Sequence, residues 1–486
     1  MRNHYPAHSI TYRTIWVAFL VLLVALAACS DSTSSSDSQS SGSTSQTPIS
    51  LSPFPTPNSS NTKAPTATAP VSSADWTMYH RDLARTGYDA NEPDPASLAQ
   101  EWNSSLDGAV YAEPLVVGGH VIVASEGDTL YSLDAHTGQV LWHTNVGTPV
   151  PLSSLPCGNI DPLGITGTPV YDPATNLVFA VAEVSGPAHI LVGVDAGTGQ
   201  VRVRRTVDAP GMDPRAHQQR AALALSHGMV YIAYGGLYGD CSDYHGWVVA
   251  SQTNGQGALL SYQVPTAREG GIWATPGPAI DAAGNLYVSV GNGSATGGSW
   301  DRSDSVLKLS PTLKLLDDFA PTQWAQDNAG DADLGSMGPV LLSDGLVFAA
   351  GKSGLAYLLH ANALGGIGGQ IQVASICTAF GGAATYGSVA FIPCTDGLRE
   401  VGVGTGPSIL VGWHAPGQIN GSPVIGGHTV YSLDPSGTLY ALNISNGTVN
   451  TSISVPQTSR FATPTLSAGY LYVGTMTGIV AIAIKE

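Results

Sequence analysis

Residues 127–142 read GDTLYSLDAHTGQVLW, and this stretch decides the fold. Its first half is apolar with partial alternation, which is the pattern of a β-strand. Asp134, Thr137 and Gly138 then predict a tight turn, because Asp can bond its own backbone and Gly tolerates positive φ. The apolar run that ends at Trp142 begins a second strand. A lone hairpin of this kind is only marginally stable, so the stretch needs further strands to pack against.

The chain supplies these strands by repetition, which is the signature of propellers and solenoids. In each of eight repeats a small residue with Pro, or an equivalent, precedes an apolar strand, and in most repeats two more strands follow. Successive repeats begin roughly 40 to 60 residues apart, the spacing of propeller blades that carry insertions. The eight repeats begin at Glu113, Thr168, Arg220, Gly277, Gly338, Gly382, Ser422 and Thr463. We therefore predict an all-β, eight-bladed β-propeller of four-stranded blades.

The last repeat ends with its third strand, without an outer strand. Residues 98–106 read LAQEWNSSL and form a strand-like segment before the first repeat. We expect this N-terminal segment to supply the missing outer strand, since closing the ring removes the exposed edges of an open array. The long insertions are expected on the faces of the ring, where propellers carry their function. They are residues 145–165, 205–220, 235–246, 292–304 and 315–335.

The composition fits short strands joined by turns and argues against some classes of partner. The 486 residues include 58 glycines, and only 11% are charged. The net charge is −17 with 18 Lys and Arg residues. Because nucleic acids and anionic membrane surfaces are bound by clustered cations, this balance argues against both as partners.

The first 29 residues predict an export signal. Arg2 and Arg13 precede residues 14–28, a nearly continuous apolar run that is too short for a comfortable membrane span. The run ends in Leu-Ala-Ala-Cys at Cys29, which resembles the lipobox of bacterial lipoproteins, where the Cys becomes lipidated. An ordinary signal peptide and an uncleaved anchor are the alternatives.

The residues after Cys29 predict a tether followed by the propeller. Residues 30–74 are rich in Ser, Thr and Pro and nearly lack large apolar side chains, so we expect them to be disordered. The propeller is then expected to span residues 75–486. These segments predict an extracytoplasmic protein of the cell envelope that is lipid-anchored to a membrane.

Four cysteines besides Cys29 fit an oxidising compartment, in which two disulfides are expected. Cys377 and Cys394 flank two predicted neighbouring strands, so we expect them to pair. Cys157 is then left to pair with Cys241, and unpaired buried thiols are the alternative. The sequence has no CxxC or His/Cys cluster, which argues against a zinc site.

The repeat LDAHTGQVLW resembles that of the pyrroloquinoline-quinone (PQQ) propellers, in which an Ala-x-Asp-x-x-Thr-Gly-x-x-x-Trp pattern docks adjacent blades. Ser132 stands in place of the Ala, and residues 191–203 and 439–449 are weaker copies without the Trp. The entry DWTMYHRDLARTGY, residues 75–88, is similar to the opening of PQQ-like repeat lipoproteins. The resemblance covers residues 75–486 and implies the fold. Its members include dehydrogenases and non-catalytic scaffolds such as the outer-membrane assembly lipoprotein.

Repeats four and five are the part most similar to the dehydrogenases, and the resemblance assigns three roles there. It places Trp273 under the flat quinone, Asn292 on Ca²⁺ and Lys352 beside the quinone oxygens. An aromatic platform, an oxygen ligand and a cation are the groups that these partners need. Each residue also has a simpler interpretation: Trp273 as a core or channel aromatic, Asn292 and Lys352 as turn residues.

Other positions depart from the dehydrogenase pattern. The family's catalytic Asp stands six residues before the Ser matched by Ser305, and this chain has Ser299 there. Asp301 and Asp304 lie near that position but out of register. Glu183 is a candidate for the family's Glu ligand of calcium. The adjacent cysteine pair of the alcohol dehydrogenases and a CxxCH haem motif are both absent from the sequence.

Two further polar clusters have structural interpretations. Asp327, Asp331 and Asp333 are expected to be solvated or capping acids, with cation binding as the alternative. A second group is expected to form a loop cluster between blades. It consists of His217, Gln218, Arg220 and residues 243–247.

We therefore expect a monomeric, membrane-anchored propeller that acts as a non-catalytic binding or scaffold module for a protein or glycan of the envelope, with no cofactor assured. The alternative is a PQQ- and Ca²⁺-dependent dehydrogenase that oxidises an alcohol or sugar. In that case Asp301 or Asp304 would be the catalytic acid. The alternative also requires Trp273, Asn292 and Lys352 to converge within one cofactor length at the central channel.

Overall fold

The computed structural model describes residues 72–404 and 406–486. The predicted signal, Cys29 and nearly all of the predicted tether lie outside these residues. Within the two described ranges, no helix is both long enough and apolar enough to span a membrane.

Eight antiparallel sheets of four main strands form the predicted propeller, and every predicted repeat start leads into an innermost strand. The second and third strands of most blades are buried on both faces, because neighbouring blades cover them, whereas Arg399–Gly404 in blade 6 is mostly half-buried. The buried strands therefore read as near-continuous apolar runs, as Leu177–Val184 does. Outer strands such as Val140–Asn145 alternate between exposed and half-buried residues, as a half-covered sheet edge does.

Blades 1 to 4 follow in chain order, each given from its inner to its outer strand. Blade 1 comprises Leu115–Val117, His120–Ser125, Thr129–Asp134 and Val140–Asn145. Blade 2 comprises Val170–Asp172, Leu177–Val184, Ala188–Asp195 and Val201–Thr206. Blade 3 comprises Ala224–Ser226, Met229–Gly236, Trp247–Gln252 and Leu260–Gln263, with His217–Gln218 paired to its second strand. Blade 4 comprises Ala279–Ile280, Leu286–Val290, Ser305–Leu309 and Leu315–Ala320, with Gly366–Ile367 parallel to its outer strand.

Blades 5 to 8 complete the ring. Blade 5 comprises Val340–Leu342, Leu346–Ala350, Leu355–His360 and Gln372–Ser375. Blade 6 comprises Ala384–Tyr386, Val389–Ile392, Arg399–Gly404 and Ser408–His414. Blade 7 comprises Val424–Gly426, Thr429–Asp434, Thr438–Asn443 and Val449–Ser454, with Tyr88–Asp89 parallel to its inner strand. Blade 8 comprises Thr465–Ser467, Tyr470–Thr475, Gly478–Lys485 and Ser97–Ser105. The described helices are the α-helix Trp324–Ala329 and the 3₁₀ turns Leu152–Ser154 and Leu334–Ser336.

The N-terminal strand closes the ring as predicted. Ser97–Ser105 pairs antiparallel with Gly478–Lys485, with Ser97 opposite Lys485 and Ser105 opposite Gly478. Trp102 on this strand is buried, and its indole N–H donates to the carbonyl of Ala135 in blade 1 at 3.0 Å. The first and last parts of the described chain therefore share one sheet and one interface.

The same Trp contact joins other blades. Trp142 of blade 1 donates to Ala196 of blade 2 at 2.9 Å. Trp413 of blade 6 donates to Ile444 of blade 7, also at 2.9 Å. In each interface the indole ring covers a turn glycine of the next blade, and these glycines are Gly138, Gly199 and Gly447. A Trp–glycine clasp of this kind explains why the repeat couples a Thr-Gly or Asn-Gly turn to a Trp on the outer strand.

A segment of residues 74–89 crosses one end of the central channel. Its backbone hydrogen bonds reach the inner strands of blades 1, 2, 4, 6 and 7 in turn. The Arg85 side chain extends to Leu223 in blade 3, and Ser467 in blade 8 donates to Ala74. Trp76 and His80 both donate to the buried carboxyl group of Glu113. This crossing segment therefore fastens the inner strands together and covers that end of the channel.

The structure corrects two predicted insertions. Residues 315–320 form the outer strand of blade 4 and are not loop, because Leu315–Ala320 pairs with Ser305–Leu309 despite the two acids within it. The first residues of the 205–220 insertion likewise belong to the outer strand of blade 2. Both outer strands have one face towards solvent, so their polar residues give a sequence pattern similar to that of a loop.

We predict that Gly138→Ala destabilises the ring more than Gly118→Ala does. Both glycines have positive φ, so each alanine has the left-handed backbone penalty of about 1 to 2 kcal/mol. A Cβ at Gly138 would lie 2.6 Å from the Trp102 ring, whereas a Cβ at Gly118 meets nothing within 4 Å. The overpacked clasp should therefore cost about 1 to 3 kcal/mol more in denaturant unfolding. Equal losses for the two variants would show that the clasp contributes nothing.

Candidate ligand site in the central channel

A cavity of about 650 Å³ lies at the end of the channel away from the crossing segment, and its volume is in the range of small-molecule sites. Its wall is built from residues that precede inner strands and residues that end second strands. A separate small cavity of about 10 Å³ lies towards the crossing segment, and its lining includes Tyr79, Arg220 and Phe461. The lining of the larger cavity includes Tyr111, Arg220, Trp273, Asn292, Asp331, Asp333, Lys352, Phe380, Arg460 and Phe461.

The structure brings Trp273, Asn292 and Lys352 together in this cavity. The ammonium group of Lys352 lies 5.8 Å from the centre of the Trp273 ring. It also lies 2.7 Å from Asp333 Oδ2, while the backbone N–H of Asn292 donates to Asp333 Oδ1 at 2.5 Å. With its amide nitrogen turned inwards, the Asn292 side chain donates to the same carboxylate at 2.7 Å. Asn292 and Lys352 thus share one acid, Trp273 lies beside the lysine, and all three residues line one cavity.

The sequence predicts Asp333 as a solvated or capping acid, but only 3% of it is exposed, and at the N-cap position its side chain makes no capping hydrogen bond. It lies at the start of the 3₁₀ turn Leu334–Ser336, where its carboxylate reaches Lys352. Burial raises the pKa of Asp333, and Lys352 opposes that rise. Burial lowers the pKa of Lys352, but Asp333 and Asp331 outweigh it and raise the pKa overall. Lys352 is therefore a charged ammonium group that two aspartates neutralise, each at 2.7 Å.

The two acids considered for catalysis do not line the cavity. Asp304 is fully buried and accepts a hydrogen bond from the backbone N–H of Leu334 at 3.0 Å. Its burial and the nearby Asp333 raise the pKa of Asp304 to about 8. Asp301 is half-buried and accepts hydrogen bonds from Ser303, and Ser299 is exposed. The structure therefore places Asp304 behind Asp333 and leaves Asp301 outside the site.

Glu183 lies between blades 2 and 3 and not beside Asn292. One oxygen accepts the backbone N–H of Gln219 at 2.6 Å, and the other lies 3.6 Å from His189. Burial opposes protonation of His189, but Glu183 and a 2.5 Å contact with Asp208 raise its pKa to about 10. Glu183 therefore belongs to a buried ionic cluster outside the cavity lining.

Among the described residues, no acidic or histidine cluster with cation-ligand spacing lies in the cavity. The single group whose ligand atoms all lie within 4.8 Å of one another is Cys377, Cys394 and Asp396. Its two cysteines form a disulfide, so they offer no thiolates. The cavity supplies Asn292 and Asp333 oxygens, but Asp333 is already held by Lys352. The described residues thus fit the aromatic and cationic needs of a quinone better than the carboxylate needs of Ca²⁺.

The second disulfide holds one wall of the cavity. Cys157 and Cys241 are joined, with their Cα atoms 6.1 Å apart. They connect the loop that carries Asn159 to the loop that carries Tyr238 and Asp240, and all three residues line the cavity. Both expected disulfide pairs are therefore present, and one of them ties together two inserted loops at the opening.

Sequence reasoning missed four other residues of the cavity lining: Tyr111, Phe380, Arg460 and Phe461. Each stands two or three positions before a repeat start, and Arg220 occupies a repeat start itself. Residues just before an inner strand point towards the channel in a propeller, so the repeat alignment held a usable signal. The sequence predicts Arg220 in a loop cluster with His217, Gln218 and residues 243–247. His217 does contact His245 there, but Arg220 lies in the cavity.

The fold and its site permit comparison with known proteins. Residues 92–304, less than half of the chain, match the family model described as outer membrane protein assembly factor BamB. No curated protein matches the sequence. The propeller is similar to BamB from Moraxella catarrhalis, with a TM-score of 0.56, 17% identity and coverage of 80% of this chain and 100% of that one.

Two dehydrogenase structures are similar as well. A quinohemoprotein alcohol dehydrogenase from Comamonas testosteroni gives a TM-score of 0.65 at 15% identity, covering 84% of this chain and 80% of that one. A europium-containing methanol dehydrogenase gives 0.66 at 15% identity, covering 85% and 98%. At these identities the likeness establishes the fold. The described chain is therefore an eight-bladed propeller, and residues 92–304 match the BamB family model.

We predict that Lys352→Met lowers the free energy of unfolding by about 2 kcal/mol at neutral pH, because it leaves the buried Asp333 carboxylate unpaired. The loss should be smaller than for a fully buried pair, since Lys352 is partly exposed. Burial raises the pKa of Asp333, so this carboxyl group becomes protonated as the pH falls and the deficit should shrink. Denaturant unfolding at several pH values measures both effects.

The double variant Lys352→Met/Asp333→Asn is the control for this prediction. It removes the stranded charge and keeps an acceptor for the Asn292 N–H, so most of the lost stability should return. A double variant no more stable than Lys352→Met would mean that the ion pair is not the source of the loss.

Proposed function

We propose that the protein is a non-catalytic binding propeller whose ligand occupies the central cavity. The observation that carries the proposal is the state of Lys352, the cation that the dehydrogenase pattern places beside the quinone. Two aspartates hold its ammonium group at 2.7 Å, so its charge is already satisfied within the protein. A cation used to stabilise charge that develops during a reaction would have to be free to meet it.

The surroundings of Trp273 support the same proposal. The guanidinium group of Arg220 lies 5.5 Å from the ring centre and Phe380 lies 6.4 Å from it, tilted by 50°. The ring is thus one wall of an aromatic and cationic cavity. In addition, neither acid considered for catalysis lines that cavity. These features describe a site that recognises and holds a ligand.

We further propose that the protein acts in the cell envelope, exported by residues 1–29 and anchored through Cys29. Its partner would be an envelope glycan or protein that presents a small group to the cavity. The match of residues 92–304 to a family described as an outer membrane assembly factor favours an envelope location.

The PQQ-dependent dehydrogenase is the second candidate function, and one observation favours it. Trp273, Asn292 and Lys352 meet in one cavity of sufficient volume, as that function requires. PQQ would supply the redox chemistry, and Trp273 would be the side chain available to support its ring.

Reconstitution separates the two functions. The purified protein is mixed with PQQ and CaCl₂, freed of excess reagent, and examined by absorbance, thermal midpoint and dye reduction with alcohols and sugars. We expect no quinone-dependent dye reduction. A stoichiometric chromophore, a raised midpoint and dye reduction that Trp273→Leu abolishes would establish the dehydrogenase instead, since a ligand of the folded state stabilises it.

A further inference from the structure

We infer that Arg220 and Arg460 form an oxyanion subsite, so that the cavity takes a ring-shaped ligand that bears a carboxylate or an equivalent oxyanion. The inference rests on the proposed function, because it takes the cavity to be the binding site. It goes further by naming the chemical class of the ligand and the two side chains that recognise it.

The two arginines alternate with three aromatic rings along one wall. The Arg220 guanidinium lies 5.5 Å from the Trp273 centroid and 5.1 Å from that of Phe461. The Arg460 guanidinium lies 4.1 Å from the Phe380 centroid and 5.8 Å from that of Phe461. Each guanidinium group is therefore within cation–π distance of two rings. Such stacking fixes the plane of the guanidinium group, while the N–H donors at the edge of that plane stay available to a ligand.

Neither arginine has an acceptor among the described residues. No hydrogen bond or ion pair within residues 72–404 and 406–486 involves either side chain, and Arg220 Nε is buried without a partner. Glu126, a neighbouring carboxyl group, is engaged by the Gly164 N–H and the Thr166 hydroxyl. Burial lowers the pKa of Arg220 to about 10, which still leaves it charged at neutral pH. A half-buried charge without a counterion is costly, and an incoming anion would offset that cost.

Other charged side chains of the cavity already have partners within the protein. Lys352 is paired with Asp331 and Asp333, and Asp240 accepts the Tyr244 hydroxyl at 2.6 Å. Arg220 and Arg460 are therefore the cavity residues whose positive charge could be neutralised by a bound anion. A planar guanidinium fork matches the two oxygens of a carboxylate, and the adjacent rings offer a flat face to the body of the ligand. Acidic sugars and aromatic acids both have this chemistry.

The test is titration calorimetry with two pairs of probes. Glucuronate with glucose, and 2,6-naphthalenedicarboxylate with its neutral diamide, each vary the charge while the ring is kept. We expect at least one acid to bind more than tenfold tighter than its neutral counterpart, and the acid that binds identifies the sugar or the aromatic source. Equal binding within both pairs, or no binding of either acid at millimolar concentration, would overturn the inference.

Variants locate the effect in the two arginines. Arg220→Met and Arg460→Met keep an unbranched apolar side chain and remove the donors, so each should weaken acid binding at least tenfold. Arg220→Lys keeps the charge without the fork and should fall between Arg220→Met and the native protein. Arg202→Met is the matched control, because Arg202 is exposed on the outer strand of blade 2. Unchanged acid binding in both Met variants would overturn the inference.

A merely structural role for Arg220 is separated by the ligand-free protein. Because its charge lacks a counterion, Arg220→Met should leave the ligand-free thermal midpoint unchanged or raise it, and should reduce only the increase caused by the acid. A lower ligand-free midpoint with an unchanged increase would assign Arg220 to packing. Quinone-dependent dye reduction would remove the proposed function, whereas equal affinity for acid and neutral probes would remove only this inference.

Discussion

The contact between an outer-strand indole and a turn glycine of the next blade recurs at three interfaces of the described ring, between blades 8 and 1, blades 1 and 2, and blades 6 and 7. The contact is possible because Gly138 has a positive φ and no Cβ, so the Trp102 ring can lie directly on its backbone. The same turn that reverses the hairpin thereby forms the surface for the neighbouring blade. Since Trp102 of Ser97–Ser105 makes this contact for blade 8, the ring closes with the same contact that joins blades 1 and 2 and blades 6 and 7. Local turn chemistry and global closure are one constraint.

Because the contacts that join blades are built from local turn and strand motifs, the sequence predicts the fold well. The eight repeat starts, the second and third strands and the missing outer strand all follow from patterns of apolar residues and turns, and each is a local signal. Leu315–Ala320 is the instructive failure. Its two adjacent acids, Asp317 and Asp318, made an outer strand look like an insertion. At the rim of a blade only one face is covered, so periodicity weakens where burial does.

The site was predictable in part, for a related reason. Trp273, Asn292 and Lys352 could be selected because they lie in short motifs similar to those of a known family. Asp333 could not be recognised as the shared partner of Asn292 and Lys352, because its burial arises from the packing of one turn against blade 4. Arg220, Arg460 and Phe461 come from blades 3 and 8, and only the closed ring brings these blades to one wall. The spacing of these residues in the sequence does not indicate that they lie close together.

The channel also gives its two groups of cations different roles. Two aspartates pair with Lys352 and neutralise much of its charge within the protein. The two arginines instead lie against aromatic rings, and their N–H donors have no acceptor among the described residues. The crossing segment covers one end of the channel, and the Cys157–Cys241 disulfide joins two loops at the other. The proposed ligand would contact one half-buried arginine, Arg220, and one exposed arginine, Arg460. Charge-assisted hydrogen bonds are stronger where less water competes for the donors, which favours Arg220 as the stronger of the two. Under the proposed function, Lys352 therefore neutralises Asp331 and Asp333, while the arginines bind the anion.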